Sequence, residues 1–275
     1  MHKISYTLNN GSTYANPSLE PIQRQVEVIA TQDEISHLVN NGYLLLNDIF
    51  DNESLKNLNS ALSRVCAAEV DHPKTEHLHG VGHYIRYLLD KDEAFHSMLT
   101  MERPMSISRA VLGPQIYIDV EARIVPAGVP DMGLSWHIHQ RVVPDPLPPF
   151  FCYPHAIHGL LYLEDVDYAT GPICIIPGSH LKPHLMKIRS TGDVEGQVVL
   201  PVKAGTCLLM HANLWHRTLP STRDALQRRL ILFAYSPSWL KADVGHGVIP
   251  ENPLRENLRK NGNAELRELL GEFCW

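Results

Sequence analysis

Between Gly113 and about residue 240 the chain breaks into short β-prone runs separated by Pro and Gly: QIYIDVEARIV, AIHGLLYLEDV, PICIIPG, QVVLPV, TCLLMHA and RRLILFAYS. Successive short apolar strands with turns between them have few ways to bury their inner faces, and the pattern predicts an antiparallel sandwich or barrel. At 275 residues the chain suits one undivided domain of this kind. The expected organisation is a mostly helical packing region over 31–112, a β core over 113–240 and a helical tail over 241–275.

The helical region has explicit start and stop signals. Thr31 followed by Glu34 forms a capping box ahead of EISHLVNNG, and Gly42 ends that helix before the apolar strand YLLL. A second helix opens near Asp51, Asn52 and Glu53 and carries Leu55, Leu58, Leu62 and Val65 on one stripe. Residues 1–30 show no sustained period and read as an irregular lead-in or a short strand. The stretch 71–83, with His72, His77, His79 and His83, reads as a solvated loop, and shorter helical patterns follow from about 84 to 112. Pro253 opens a polar amphipathic tail that breaks at Asn261-Gly262.

Composition excludes several function classes. The 24 Lys+Arg against 30 Asp+Glu give a formal net charge of -6, with no dense basic run, so nucleic acid is not an expected partner. Five cysteines at positions 66, 152, 174, 207 and 274 form no CxxC pair and point to reduced thiols and a cytoplasmic setting. The polar start MHKISYTLNN and the absence of a long apolar run predict neither export nor membrane insertion. No GxSxG elbow and no phosphate-cradling glycine motif is present.

What chemistry the sequence does offer lies in its histidines. In LSWHIHQ, His137 and His139 stand two apart in an expected strand, so both rings project from one face about 7 Å apart along the backbone. Two imidazoles so placed can share a metal. The third ligand is expected to be His216 in HANLWHRTLP, with His211 as its rival. Imidazole suits Fe, Cu, Ni and Zn alike, so the ligand set alone leaves the metal open. The proline-rich segment VVPDPLPPFFCYPHA is expected to roof a pocket, with Trp136, Tyr153 and His155 flanking the ligand strand and that loop, the first two as substrate contacts.

From about residue 31 to 240 the chain resembles the phytanoyl-CoA dioxygenase family of Fe(II)/2-oxoglutarate oxygenases. The segments that carry the resemblance are the GYLLL opening, ALSRV, LLDKDEAF, VLGPQI, WHIHQ, YLEDVDYATGPICIIPGSH, KAGTCLLMHANLWHRT and RRLILFAYS. The resemblance implies a mainly β fold with flanking helices, a double-stranded β-helix of the jelly-roll, cupin-like type. It also implies iron(II), 2-oxoglutarate, O2 and a small organic substrate that undergoes hydroxylation or a related C–H oxidation. His137 and His216 match family metal ligands, and Arg228, seven residues before Tyr235, matches the arginine that clamps the distal carboxylate of 2-oxoglutarate. A guanidinium is the natural bidentate partner for a carboxylate inside a barrel. Arg229 should point to the opposite face. Arg123 in EARIVP is assigned to the pocket, as a contact for an acidic substrate or for the C1 carboxylate of the oxoacid, against the alternative of a surface arginine on an edge strand.

One position departs from the family pattern of His-x-Asp, because His139 stands where the aspartate should be. Three neutral imidazoles leave the full dication to its other ligands, which favours anionic co-ligands. Three readings follow: a three-histidine iron site that uses 2-oxoglutarate, a three-histidine dioxygenase that does not, and a non-catalytic metal-containing binding protein. A fourth arrangement turns His139 away and takes a carboxylate from Asp145 or Glu164.

Overall fold

The computed structural model describes residues 2–8, 22–69, 76–77, 82–139, 143–148, 155–185, 190–222, 224–238, 240 and 253–271. Its first strands, β1 (His2–Leu8) and β2 (Ile22–Val28), pair antiparallel as a two-stranded sheet where the sequence suggested an irregular lead-in or a short strand. Polar residues such as Arg24 interrupt the apolar alternation here, so backbone pairing, invisible in the side-chain pattern, defines these strands.

Helix α1 (Gln32–Asn41) starts on the expected capping box: Thr31 accepts from the Glu34 N–H while Glu34 accepts from the Thr31 N–H. It stops at Gly42, whose φ of 78° is the left-handed conformation that glycine adopts at little cost. Strand β3 (Tyr43–Leu46) follows, then α2 (Asn52–Glu69), which buries Leu55, Leu58, Leu62 and Val65 as its stripe requires. The histidine-rich stretch is partly strand rather than loop. His77 in β4 (Glu76–His77) pairs with His83 in β5 (His83–Ile85), and β5 pairs with β6, so the two extend the large sheet at its edge. His72 and His79 lie outside the described residues. Two 3-10 segments, Leu88–Asp90 and Glu93–Thr100, lead into α3 (Glu102–Leu112).

Eight strands then build the core: β6 (Ile116–Val125), β7 (Leu134–His137), β8 (Ile157–Tyr162), β9 (Ile173–Ile175), β10 (Val198–Leu200), β11 (Cys207–His211), β12 (His216–Thr218) and β13 (Arg228–Pro237). They divide between two sheets in the orders β11-β8-β13-β6 and β10-β9-β12-β7, the first extended by β3 on one side and by β5 and β4 on the other. All pairs are antiparallel, and the chain crosses repeatedly from one sheet to the other, which is the double-stranded β-helix, or jelly roll.

Strand alternation sorts the side chains into three layers. Ile231, Phe233 and Tyr235 face the helices and pack with Leu58, Leu62, Phe95 and Ile107. Leu160, Tyr162, Leu208, Leu230, Ile173 and Ile175 face inward between the sheets. Trp136, Cys174, Ile176 and Trp215 form a third cluster on the outer side of the small sheet. The tail supplies α4 (Pro253–Asn261) and α5 (Ala264–Leu269), the latter held by Arg109, which donates to Glu265 at 2.6 Å and to the fully buried Glu268 at 3.4 Å. Among the described residues no helix is long and apolar enough to cross a membrane.

Candidate metal centre

Alternation on the small sheet aims the ligand candidates inward. His216 pairs directly with His137 across β12 and β7 and with Ile175 across β9, so all three share the inner face, while Trp136, Trp215 and Cys174 point outward. The expected strand for WHIHQ is shorter than the sequence suggested. Strand β7 ends at His137, and His139 lies in the bend that follows, anchored by its N–H donating to the Ala212 carbonyl at 2.8 Å.

That bend still delivers the ring: one ligand atom from each of His137, His139 and His216 lies within 4.8 Å of the others. Ring centroids are 4.2 Å apart for His137 and His216, 4.8 Å for His139 and His216, and 5.6 Å for His137 and His139. Nδ1 of His137 meets the Ser135 carbonyl at 2.7 Å, and Nδ1 of His216 meets the Leu214 carbonyl at 2.8 Å. A carbonyl only accepts, so both Nδ1 atoms carry the proton and both Nε2 atoms keep a lone pair for a cation. Burial holds His137 below the ordinary imidazole range and His216 well below it, so neither ring is a cation at neutral pH. For His216 the neighbouring His137 and His139 push the same way. Two neutral imidazoles and the ring of His139 around one point fit a divalent transition metal.

The rivals lie elsewhere. His211 packs against His180, with ring centroids 4.9 Å apart, and its Nδ1 accepts from the Asn213 N–H. Asp145 is exposed, and Glu164 is engaged by Gln227 on the far side of the large sheet. Neither joins the cluster. Trp136 is fully buried in the outer layer, with its indole N–H donating to the Gly192 carbonyl at 2.8 Å and the Arg217 guanidinium 5.1 Å from its ring centroid, so the substrate contact expected of it is not there. Parity explains this, because two residues adjacent on a strand cannot both face inward. Tyr153 lies outside the described residues, as do Phe150 and Phe151. His155 is half-buried, and its pKa is lowered by burial.

Deeper in the barrel Arg228 and Arg123 converge on one carboxylate that sequence reasoning missed. Arg228 Nη2 donates to Asp131 Oδ2 at 2.6 Å and Arg123 Nη2 donates to the same oxygen at 3.0 Å, while Asp131 Oδ1 accepts from the Gly133 N–H. Arg228 also donates to the carbonyls of Thr170 and Gly171. Gly171 is required there: its φ is +78°, and a β-carbon would stand 2.6 Å from Arg228 Nη1. Nε of Arg228 is buried and has no hydrogen-bond partner. Burial pulls Arg228 below the ordinary guanidinium range, opposed by Asp131, and pulls Arg123 down to about 10. The charge of Arg123 is felt at His137. Arg229 faces the other way as expected, donating to Ser63 of α2 at 2.9 Å.

Two more residues were missed. His158 on β8 puts its ring 4.0 Å from that of His139, edge to face, and burial pushes its pKa down to about 3. Tyr162, two steps further on the same inner face, feels both Arg228 and Arg123. The alternation His158, Leu160, Tyr162 marks this inner face in the sequence. Asp131 sits in an irregular loop, where no periodicity points to it.

Fold and site together define a jelly-roll barrel with an imidazole cluster that could hold a metal at one end and a buried arginine pair further in, the architecture of a non-haem iron oxygenase. The phytanoyl-CoA dioxygenase family model matches residues 38–229, and the chain belongs to this family of iron- and 2-oxoglutarate-dependent oxygenases. No curated protein sequence matches it. Among solved structures, HygX from Streptomyces hygroscopicus with nickel and 2-oxoglutarate bound is similar at a TM-score of 0.62 and 17% identity, over 77% of this chain and 89% of that one. The carbocyclase SnoK from nogalamycin biosynthesis aligns at a TM-score of 0.62 and 15% identity, over 82% of this chain and 95% of its own. The epimerase SnoN from the same biosynthesis aligns at 0.59 and 16%, over 75% and 83%. At such identities the likeness is one of fold.

Proposed function

We propose that this protein oxidises a small organic molecule with iron(II) held by His137, His139 and His216, using 2-oxoglutarate whose distal carboxylate is taken by Arg228. The observation that carries this reading is the convergence of three imidazoles, two of them neutral and with Nδ1 tied to a carbonyl. Iron(II) with the oxoacid and O2 supplies a two-electron oxidation, in which one oxygen atom ends in succinate, CO2 leaves, and the second oxygen is available to a C–H bond of the substrate.

The chain's own contribution is orientation and charge. Ser135 and Leu214 fix the ring tautomers, and the bend at His139 supplies an imidazole where the family pattern has a carboxylate. The site thus retains the full charge of a divalent ion, which strengthens its hold on an anionic co-ligand. Arg228 and Arg123, buried behind the centre, set a positive end for a dicarboxylate, and Asp131 keeps both guanidiniums in place before it arrives. Tyr162, Leu230 and Leu160 close that end against water. HygX with nickel and 2-oxoglutarate, and SnoN with iron and the same oxoacid, support the pairing of metal and cosubstrate.

The test is O2 uptake and succinate formation by the ferrous protein. Stoichiometric succinate, with a raised KM for 2-oxoglutarate in Arg228→Lys, is the expected result. O2 uptake that proceeds equally without the oxoacid would replace this reading with a cosubstrate-independent dioxygenase.

A further inference from the structure

The inner face of the large sheet changes character along its length. At the arginine end Tyr162, Leu230, Arg123 and Arg228 are all buried. Toward the other end, Tyr117, Asp119, Glu121, Leu232, Ala234 and His158 are all half-buried, although Ile118, Val120, Ile231, Phe233 and Tyr235 on the opposite face of the same strands are buried. Side chains that point into a barrel and still keep accessible surface border open space, so the barrel is closed at the arginines and open beside the histidines.

Register places the members of that open half. Ala234 on β13 pairs with His158 on one side and with Asp119 on the other, and Leu232 pairs with Leu160 and Glu121. His158, Ala234 and Asp119 therefore form one row across the sheet, about 10 Å from end to end at the usual strand spacing. One end of the row touches the ligand His139 through His158. The middle is a single methyl group. The far end is a carboxylate whose hydrogen bond is with the N–H of its neighbour Val120.

The charged groups around Asp119 come from four elements. Arg255 of α4 donates to Asp90 of the first 3-10 segment at 2.7 Å, Arg86 follows β5, and Glu121 is the next inward residue on β6. Burial raises the Asp119 carboxyl above its ordinary range, Asp90 pushes the same way, and the pull of Arg255 and Arg86 does not cancel this. The carboxylate is thus under-compensated, and an arriving cation would relieve it.

We propose that the open half of the barrel is a subsite for a substrate bearing a protonated amine, with the ammonium group taken by Asp119 and the carbon skeleton lying over Ala234 toward the metal. This rests on the proposed function, because the metal fixes where the reacting carbon must lie. The barrel then sorts its two small molecules by charge: an anion at the closed arginine end and a cation at the open acidic end.

The experiment uses Mn(II) in place of iron, with 2-oxoglutarate, and three probes of one size: cyclohexylamine, cyclohexanol and cyclohexanecarboxylate. Relaxation of their ring protons by the bound Mn(II) reports occupancy of the row. The expected result is saturable relaxation of the ammonium probe, several-fold above that of the alcohol at equal concentration. Asp119→Asn should remove the preference, Asp119→Glu should retain part of it, and Ala234→Leu should reduce relaxation of every probe. Preference for the alcohol or the carboxylate, no relaxation of any probe, or an ammonium preference that survives Asp119→Asn overturns the inference. Uptake of Mn(II) and 2-oxoglutarate is measured in the same samples by water-proton relaxation and equilibrium dialysis. Failure of the wild type to take up either overturns the proposed function and this subsite with it, whereas uptake of both without ammonium preference overturns the subsite alone.

Discussion

Replacing Asp131 by Asn tests the electrostatic core of the site in one step. The side chain of Asp131 is 1% exposed and accepts from Arg228 at 2.6 Å and from Arg123 at 3.0 Å. Asn is nearly isosteric and keeps an acceptor for the Gly133 N–H, so packing should survive; what disappears is the negative charge between two buried guanidiniums. A charge pair about 4 Å apart is worth roughly 4 kcal/mol at an effective dielectric near 20, before desolvation is set against it. Removing one member of a buried pair typically costs about 3–5 kcal/mol, because the partner's desolvation is no longer offset. We therefore expect Asp131→Asn to lose about 3–5 kcal/mol in equilibrium urea unfolding of the metal-free protein. Adding 2-oxoglutarate with Mn(II) should return part of this, since a ligand held 100-fold above its Kd stabilises by about 2.7 kcal/mol. A loss below about 1 kcal/mol would refute the reasoning, because the two arginines would then not depend on the shared carboxylate.

Three further outcomes are expected. In the metal-free protein His158 and His216 stay neutral in the fold, while the unfolded chain takes up their protons near pH 6.5; their stabilising effect is present above that pH and is lost as pH falls below it. Each such histidine adds a slope of about 1.4 kcal/mol per pH unit, so urea midpoints should drop between pH 6.5 and 5, and His158→Phe should flatten the curve by one proton. His139→Asp should keep metal uptake but weaken 2-oxoglutarate binding about tenfold in anaerobic titrations of the ferrous protein, as the added negative charge opposes the oxoacid; unchanged affinity would mean that the ring at 139 does not set the charge of the centre. Gly159→Ala would drive a methyl group into the Phe233 ring on the helix-facing side and should cost about 1–3 kcal/mol in unfolding while sparing metal uptake.

Much of this protein could be read along the chain, because its information is local and periodic. Thr31 and Glu34 announce a helix start, and the α2 stripe and the six apolar runs announce which faces are buried. His137, His216 and Arg228 stand in segments whose text resembles a known family. The same alternation rule that placed His137 inward should have excluded its neighbour Trp136, and would have singled out His158 two steps before Leu160.

Other features depend on contacts between residues far apart in the chain, and no local pattern encodes them. β1 and β2 exist because they pair with each other. β4 and β5 exist because β6 offers an edge, so a histidine-rich stretch that reads as loop becomes ladder. Asp131 lies in a loop, and only closure of the barrel brings it between Arg123, eight residues away, and Arg228, 97 residues away. The row from His158 over Ala234 to Asp119 likewise comes from three strands in register. Sequence determined which residues can ligate, clamp or turn inward, since those are properties of a side chain and its immediate period. Tertiary structure decided which of them meet, because a site is a coincidence in space between segments that backbone pairing alone aligns.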